Sequence, residues 1–384
     1  MATYAIETNL AGNLDDGDDV ALLDTFRNAL DVMSGSAIQV LPMTNPGNSG
    51  QVMMDRLLAG TIKFAYGSAN RIQTMSNPLF FAHLFGMEIV EFCSWWYAGG
   101  GAAHLAGQIA SLTPPYNNFY TFPLNCGPGE SGGWYKEAIT MKKVLDGKWS
   151  DGSQIKLRLA DECGPVHGLA FPNTVYGSGT PSVSFLIDLK NGLFNGGELF
   201  TPLGDASTVN GLFPNWPNVT GSIIDAGIKH FYLQTWQTPF RGRCLFVTKD
   251  WFDNILSGPE REMIKSAAAK CHMQNVAYLL QGQDTIIKQF QTLGGIIHER
   301  LPNDYLTALR AATDEVYRRN VVADSTNMLG ATLAHQRDFI RKNHVRWQAG
   351  NLDRAWRFKG RTSMGVIGPN NIGGYESDLH PDTW

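Results

Sequence analysis

Over its first seventy residues the chain alternates short apolar runs with stretches of helical periodicity, which limits the available folds more than any single motif does. Tyr4–Glu7 reads as a short strand. Asp18 or Asp19 caps a helix with Leu22, Leu23, Phe26, Leu30 and Met33 on one face, stopped by Gly35. Ala37–Leu41 is an apolar strand. Ser49 then caps a second helix carrying Val52, Met53, Leu57 and Leu58, Gly60 ends it, and Thr61–Tyr66 follows as a third strand. Strands and helices alternating at this spacing predict a parallel, doubly wound α/β sheet. Ligands of such sheets sit beyond the carboxyl ends of the strands, so Tyr66 is a candidate pocket residue.

The rest of the chain fits more than one such unit. Its 384 residues correspond to two or three domains of about 150 residues each. A hydrophobic content of 43% with 17% charged residues excludes intrinsic disorder. Lys+Arg 31 against Asp+Glu 35 leaves a net charge of −4, so there is no basic excess for a phosphate backbone and nucleic acid is not an expected partner. Residues 113–133 and 164–221 are dense in Gly, Pro, Asn and Ser, and a second domain is expected to begin near Asn125. From Pro259 to about Leu293 runs a long helical pattern with Met263, Ile264, Ala267, Cys271, Leu279, Ile286, Ile287 and Phe290. At 1.5 Å per residue that helix is about 50 Å long, enough to brace two domains. The expected division is a first lobe over 1–124 with a return segment at about 229–260. A second lobe takes 125–228 with part of about 280–320, and C-terminal helices and a tail occupy 321–384.

Cys93, Cys126, Cys163, Cys244 and Cys271 are too few and too widely spaced for a disulfide scaffold or a CxxC zinc site. The odd number leaves at least one free thiol. The most apolar window, Pro78–Tyr97, is interrupted by His83, Gly86, Glu88 and Glu91, and is not a membrane span. No signal peptide opens the chain, which is expected of a cytosolic protein or of a secreted one without its leader.

The richest stretch for chemistry is Gly127-Pro-Gly-Glu-Ser-Gly-Gly-Trp134. Gly127, Gly129 and Gly132 fit the dinucleotide fingerprint, but Asp151-Gly152 reads as a turn where an acid should close the next strand. The same stretch holds Gly129-Glu-Ser131-Gly-Gly133, a nucleophile-elbow pattern. Gly99–Gly101 would be its oxyanion loop, and Asp225 and His230 would complete a triad in the order Ser, Asp, His. Pro128 sits badly in a strand–elbow–helix, and no His precedes the Gly triplet. A glycine-rich loop that lets backbone approach a ligand fits the stretch equally well. Arg158 lies in Ile155–Leu159, where period-2 alternation places it with Lys156 on one face. It is either solvent-facing or a bidentate clamp for a carboxylate. Glu198 and Asp205 bracket a loop and supply oxygen donors suited to a hard cation. His167 and His298 read as structural or surface residues, and Trp95 and Trp96 as core.

Taken in order, several segments resemble the extracytoplasmic solute-binding proteins of tripartite ATP-independent periplasmic (TRAP) transporters. The likeness is closest to the branch that binds 2-oxo acids and lactate-type hydroxy acids with a metal ion. Phe85-Gly86, Trp95-Trp96-Tyr97 and Gly99–Gly101 resemble that branch's aromatic and triple-glycine segment, and Glu130–Lys136 its Gly-Gly-Trp opening of the second domain. Ile155–Leu159 is similar to its arginine-bearing strand, Gly192 through Asp205 to its metal-site loop, and the helix from Pro259 to its long helix.

The resemblance implies a two-lobed, type II periplasmic-binding-protein fold, with a sheet flanked by helices in each lobe and a long helix crossing both. It implies capture of a small organic acid in an interdomain cleft and delivery to TRAP membrane subunits in the periplasm, without catalysis and without an organic cofactor. By analogy Arg158 pairs the carboxylate. Glu198, the Leu199 carbonyl and Glu130 hold a Ca²⁺ or Na⁺, and Tyr66, Trp134 and Trp236 are pocket walls. The branch tends to carry an amide where Glu130 stands and a Trp where Leu199 stands. The carboxylate favours Ca²⁺, and the missing indole leaves room for a ligand larger than pyruvate or lactate. The apolar faces of the helices over Asp304–Phe358 serve a homodimer or intramolecular packing equally well.

Overall fold

The computed structural model describes residues 2–8, 17–44, 50–68, 84–87, 89–125, 131–159, 163–177, 187–197, 223–234, 236–237, 243–324 and 328–350. The chain begins β1 (Ala2–Thr8), α1 (Gly17–Met33), β2 (Ile38–Thr44), α2 (Gly50–Leu58) and β3 (Phe64–Ser68). Next come α3 (Ile89–Tyr97), α4 (Gly101–Ala110), β4 (Phe119–Asn125), β5 (Gly133–Tyr135), α5 (Met141–Asp146) and β6 (Lys156–Arg158). The series continues with α6 (Cys163–Ala170), β7 (Val175–Gly177), β8 (Gly196–Gly197), β9 (His230–Tyr232) and β10 (Arg243–Thr248). It closes with α7 (Lys249–Asn254), α8 (Gly258–Thr292), β11 (Ile296–His298), α9 (Asn303–Ala323) and α10 (Met328–Gly350). Among the described residues no helix is long and apolar enough to cross a membrane, and Cys93, Cys163, Cys244 and Cys271 are free thiols.

The chain forms two units. The first takes Met1–Ala82, Glu88–Pro128 and Phe240–Gly282. Its sheet has the order β2-β1-β3-β10-β4, with β1 parallel to β2 and β3, and β10 antiparallel to β3 and β4. The expected strand–helix alternation is present, because α1 and α2 are the crossovers that parallel pairing requires. Leu23, Phe26 and Leu30 of α1 pack with Phe64 and with Ile264, Ala267 and Cys271 of α8 in one core. Phe64 lies edge-on to Phe26 and Trp251, at ring separations of 6.0 and 5.2 Å. On α2 the buried set is Met53, Met54 and Leu57, whereas Val52, expected inside, is 40% exposed. The helix is rotated so that Met54 takes the inward position.

The second unit takes His83–Met87, Gly129–Pro239 and Gln283–Trp384. Its sheet has the order β11-β9-β5-β8-β6-β7, and only β5 runs against its neighbours β8 and β9. The pairs β6–β7, β6–β8 and β9–β11 are parallel. Read as β7-β6-β8-β5-β9, the order repeats that of the first sheet, with β11 added at one margin. In both sheets the antiparallel strand is the one formed just after the chain arrives from the other unit. The core gathers Trp134, Phe231, Ile286 and Phe290. Trp134 lies 4.0 Å from the Phe231 ring and 5.0 Å from that of Phe290.

The α8 helix, 35 residues long, contributes Ile264 and Cys271 to the first core and Ile286 and Phe290 to the second. It is the crossing helix anticipated from Pro259. Two expected boundaries fall elsewhere. β9, placed by sequence in the return segment of the first lobe, pairs with β5 and β11 in the second sheet, because Phe231 and Tyr232 pack on Trp134 and Tyr135. No break occurs at residue 321, since α9 runs through it and α10 follows within the second unit.

Candidate functional site

The candidate site is the carboxyl edge of the second sheet. β6, β8 and β9 share one direction and β5 opposes them, so the ends of three strands and the start of a fourth lie along that edge. One row of paired residues crosses it: Arg158 faces Gly197, Gly197 faces Trp134, and Trp134 faces Phe231. At about 4.8 Å per strand, the backbone leading toward Glu198 leaves one strand from Arg158, and that arriving from Glu130 enters two strands away, about 10 Å off.

Glycine is required for this approach. A Cβ on Gly197, whose φ is +141°, would stand 2.2 Å from the Arg158 carbonyl oxygen and 2.7 Å from its nitrogen. Gly133, at φ +107°, would drive a Cβ to 2.9 Å from the Gly197 carbonyl and 2.8 Å from the Tyr135 hydroxyl. Only a residue without Cβ takes these conformations at low cost. Gly132 is held by its N–H, which donates to the Tyr232 carbonyl at 2.8 Å. The Tyr135 hydroxyl donates to the Gly132 carbonyl at 2.9 Å.

Arg158 is 5% exposed, and its neighbour Leu157 is fully buried. The alternation expected of a strand with one wet face is therefore absent, and the solvent-facing reading of Arg158 does not hold. A guanidinium withdrawn from water is stable only against anionic or carbonyl oxygen.

The other candidate residues separate into three groups. Trp236, fully buried, follows the segment after β9 that packs along the start of β5. Its carbonyl accepts the Phe85 N–H at 3.2 Å and its ring lies 6.4 Å from that of Phe85. Trp134 and Tyr66 are fully buried in the cores of the second and first units, respectively. Both rings were expected as pocket walls, and both pack within these cores. Glu130, Glu198, Leu199 and Asp205 lie outside the described residues. Among the described residues no cluster of three or more His, Cys, Asp or Glu side chains could hold a metal ion.

The elbow reading of Ser131 fails on geometry. A strand, β5, follows Ser131 where a helix is needed, and the Ser131 hydroxyl accepts the Gly133 N–H at 3.3 Å. His230 stands opposite Tyr135 at the far end of β5 from Ser131. Its Nδ1 is hydrogen-bonded to His298 Nε2 at 2.8 Å. Gly101 opens α4, where a Cβ would strike the Trp95 ring at 2.5 Å, so packing accounts for it. The same strand after Gly132 removes the dinucleotide reading, which needs a helix there.

The structure adds polar groups that the sequence reading passed over or left bland. His167 is fully buried against Phe171 and Tyr305, and burial pushes its pKa down to about 3. Its Nδ1 lies 3.1 Å from Thr174 Oγ1. Burial also lowers the pKa of His230 and His298, with mutual repulsion as a further cause at His230. Tyr135 was visible only as part of a glycine-aromatic run, and no spacing marked its hydroxyl.

Solved structures with this architecture were found by comparison. One is a TRAP periplasmic solute-binding protein from Colwellia psychrerythraea with bound calcium and pyruvate. It shares 17% identity over 93% of this chain and 99% of its own, with a TM-score of 0.69. The fold is that of the TRAP periplasmic solute-binding proteins. A second, from Pseudoalteromonas atlantica T6c with sodium and pyruvate, shares 16% identity over 92% of this chain and 98% of its own, with a TM-score of 0.67. A third, from Bordetella bronchiseptica RB50, is a mixed-occupancy dimer with copurified calcium and picolinate. It shares 14% identity over 94% and 98% of the two chains, with a TM-score of 0.69. No family model and no curated sequence matches the chain.

Proposed function

We propose that the protein is an extracytoplasmic solute-binding protein of the TRAP type that captures a small organic acid and passes it to membrane subunits. It holds its ligand without transforming it. The observation that carries this reading is Arg158, buried at the carboxyl edge among backbone that only glycine can form. A carboxylate is the chemical complement of that guanidinium, whose planar fork binds both oxygens at once. The three similar structures bind pyruvate or picolinate with calcium or sodium, which is consistent with a carboxylate partner.

Glu198, Glu130 and the Leu199 carbonyl are the proposed cation ligands. All are oxygen donors, the set that suits Ca²⁺ or Na⁺ and disfavours softer metals. Glu198 follows Gly197, which faces Arg158 across the sheet, and Glu130 precedes Ser131 at the entry to β5. Bound there, the ion would neutralise the two acids and offer a positive face to the ligand's second oxygen. Trp236 remains a proposed wall, and 2-oxo and hydroxy acids larger than lactate are the proposed class. The periplasm is the proposed location, and a homodimer through the C-terminal helices is part of the proposal.

The test is titration calorimetry with pyruvate, picolinate and longer 2-oxo acids, with and without Ca²⁺, on wild type and Arg158→Ala. One charged hydrogen-bonded pair contributes about 1.5–3 kcal/mol, so the variant should bind at least tenfold more weakly. Its circular dichroism should stay native. Equal affinity in the two proteins would remove Arg158 from the site.

A further inference from the structure

We propose that Tyr135 is the positioning residue of the anion site: its hydroxyl holds the Gly132 carbonyl and so fixes the path by which the chain enters the edge beside Gly197 and Arg158. The inference rests on the reading of that edge as the binding site. Tyr135 lies two residues beyond Gly133 on β5, on the same face of the strand. Its hydroxyl therefore reaches back over Gly133, and the missing Cβ there is what leaves it room: a Cβ would stand 2.8 Å from that oxygen.

The Gly132 residue is gripped on two sides. Its N–H is bonded to the Tyr232 carbonyl at 2.8 Å and its C=O to the Tyr135 hydroxyl at 2.9 Å. A Cβ on Gly132 would lie 2.3 Å from the Gln234 carbonyl, so the turn presses directly on the segment that leads to Trp236. The Tyr135 ring is fully buried and set edge-on to Tyr232 at 5.8 Å, which immobilises the hydroxyl. A phenylalanine would fill this space without carrying a polar atom into the interior. The hydroxyl adds the hold on Gly132, one residue beyond Ser131 and two beyond Glu130, beside its polar contact with the buried Tyr305 side chain.

The test is Tyr135→Phe, which keeps the ring and removes only the hydroxyl. In ligand-free protein, amide exchange at Gly132 and Gly133 should rise about tenfold, while amides of β10 exchange as in wild type. By calorimetry with picolinate or pyruvate in the presence of Ca²⁺, the variant should bind about tenfold more weakly at a temperature where both proteins are fully folded. Unchanged exchange at Gly132, or equal affinity in Tyr135→Phe and wild type, would overturn the inference and leave the role of Arg158 standing. Absence of binding by wild type to either acid would remove the carboxylate reading, and this inference with it.

Discussion

The two units share a strand order and differ in what stands at the same place within it. β1 and β6 each pair with the next two strands along the chain, β1 with β2 and β3 and β6 with β7 and β8. Near the carboxyl end of β1, Glu7 faces Ala65. Near that of β6, Arg158 faces Gly197. Glu7 is buried, and its charge is met from within the unit by Arg56 of α2 at 2.7 Å. Arg158 is equally buried, yet the strand beside it carries glycine, and the chain continues from there into Glu198. The same frame thus carries an ion pair between β1 and α2 in one unit, and in the other a buried arginine beside a position that only a residue without Cβ takes at low cost. A fold of this kind does not assign the site to either sheet.

The comparison breaks most sharply at the facing residue. Gly197→Ala would force a methyl against the Arg158 backbone at a φ that L residues avoid. A destabilisation of about 3–5 kcal/mol is expected in urea unfolding. The matching change in the first unit, Ala65→Gly, should cost about 1 kcal/mol, through added freedom of the unfolded chain and a lost methyl contact. If the two variants were equally stable, the close approach at Gly197 would not be what sets the second edge apart.

That contrast also marks how much the sequence could disclose. β1 to β3 and the long α8 helix were legible because period 2 and period 3.6 are local signals. Of the second sheet only β6 was legible, within Ile155–Leu159, since the other described strands have only two or three residues and β8 is Gly196-Gly197, which has no hydrophobic pattern. The insertion of β10 between β3 and β4 depends on pairing with segments more than a hundred residues away, which no local signal encodes. At the site, Arg158 and the glycine run were legible as residue types suited to anion contact. For Trp134 and Tyr66, the sequence could not separate core from cleft, because an aromatic side chain fits either equally well. Tyr135 escaped notice because its role is a bond to a backbone carbonyl.

Acid should separate the two units next. His167 is in the second unit, and burial pushes its folded pKa down to about 3, against about 6.5 when unfolded. Between those values the unfolded chain takes up a proton that the folded chain refuses, so stability falls as pH drops below about 6.5. The slope approaches about 1.4 kcal/mol per pH unit, or about 2 kcal/mol from pH 6.5 to pH 5. His230 and His298, also lowered, act in the same direction in the same unit. Amide exchange at pH 5 should therefore rise in β6, β7 and α6 before it rises in β1 and β2. His167→Asn, which keeps a polar atom near Thr174 and does not titrate, should flatten the dependence. An unchanged slope in that variant would place the acid lability elsewhere.

The smallest effect is expected where the first unit's own charge is removed. Glu7→Gln leaves Arg56 without its carboxylate, but the Arg56 side chain is 30% exposed and can turn to water. Breaking a fully buried pair would cost several kcal/mol, because the remaining charge has no other partner. Here the arginine rehydrates and the glutamine keeps a polar carbonyl, so about 1 kcal/mol is expected in urea unfolding. Affinity for the organic acid should not change, because Glu7 and Arg56 belong to β1 and α2 of the first unit and the proposed clamp, Arg158, to the second. If Glu7→Gln instead weakened binding as much as Arg158→Ala, the two strand ends would be functional counterparts. The charged edge of the first sheet would then belong to the site as much as that of the second.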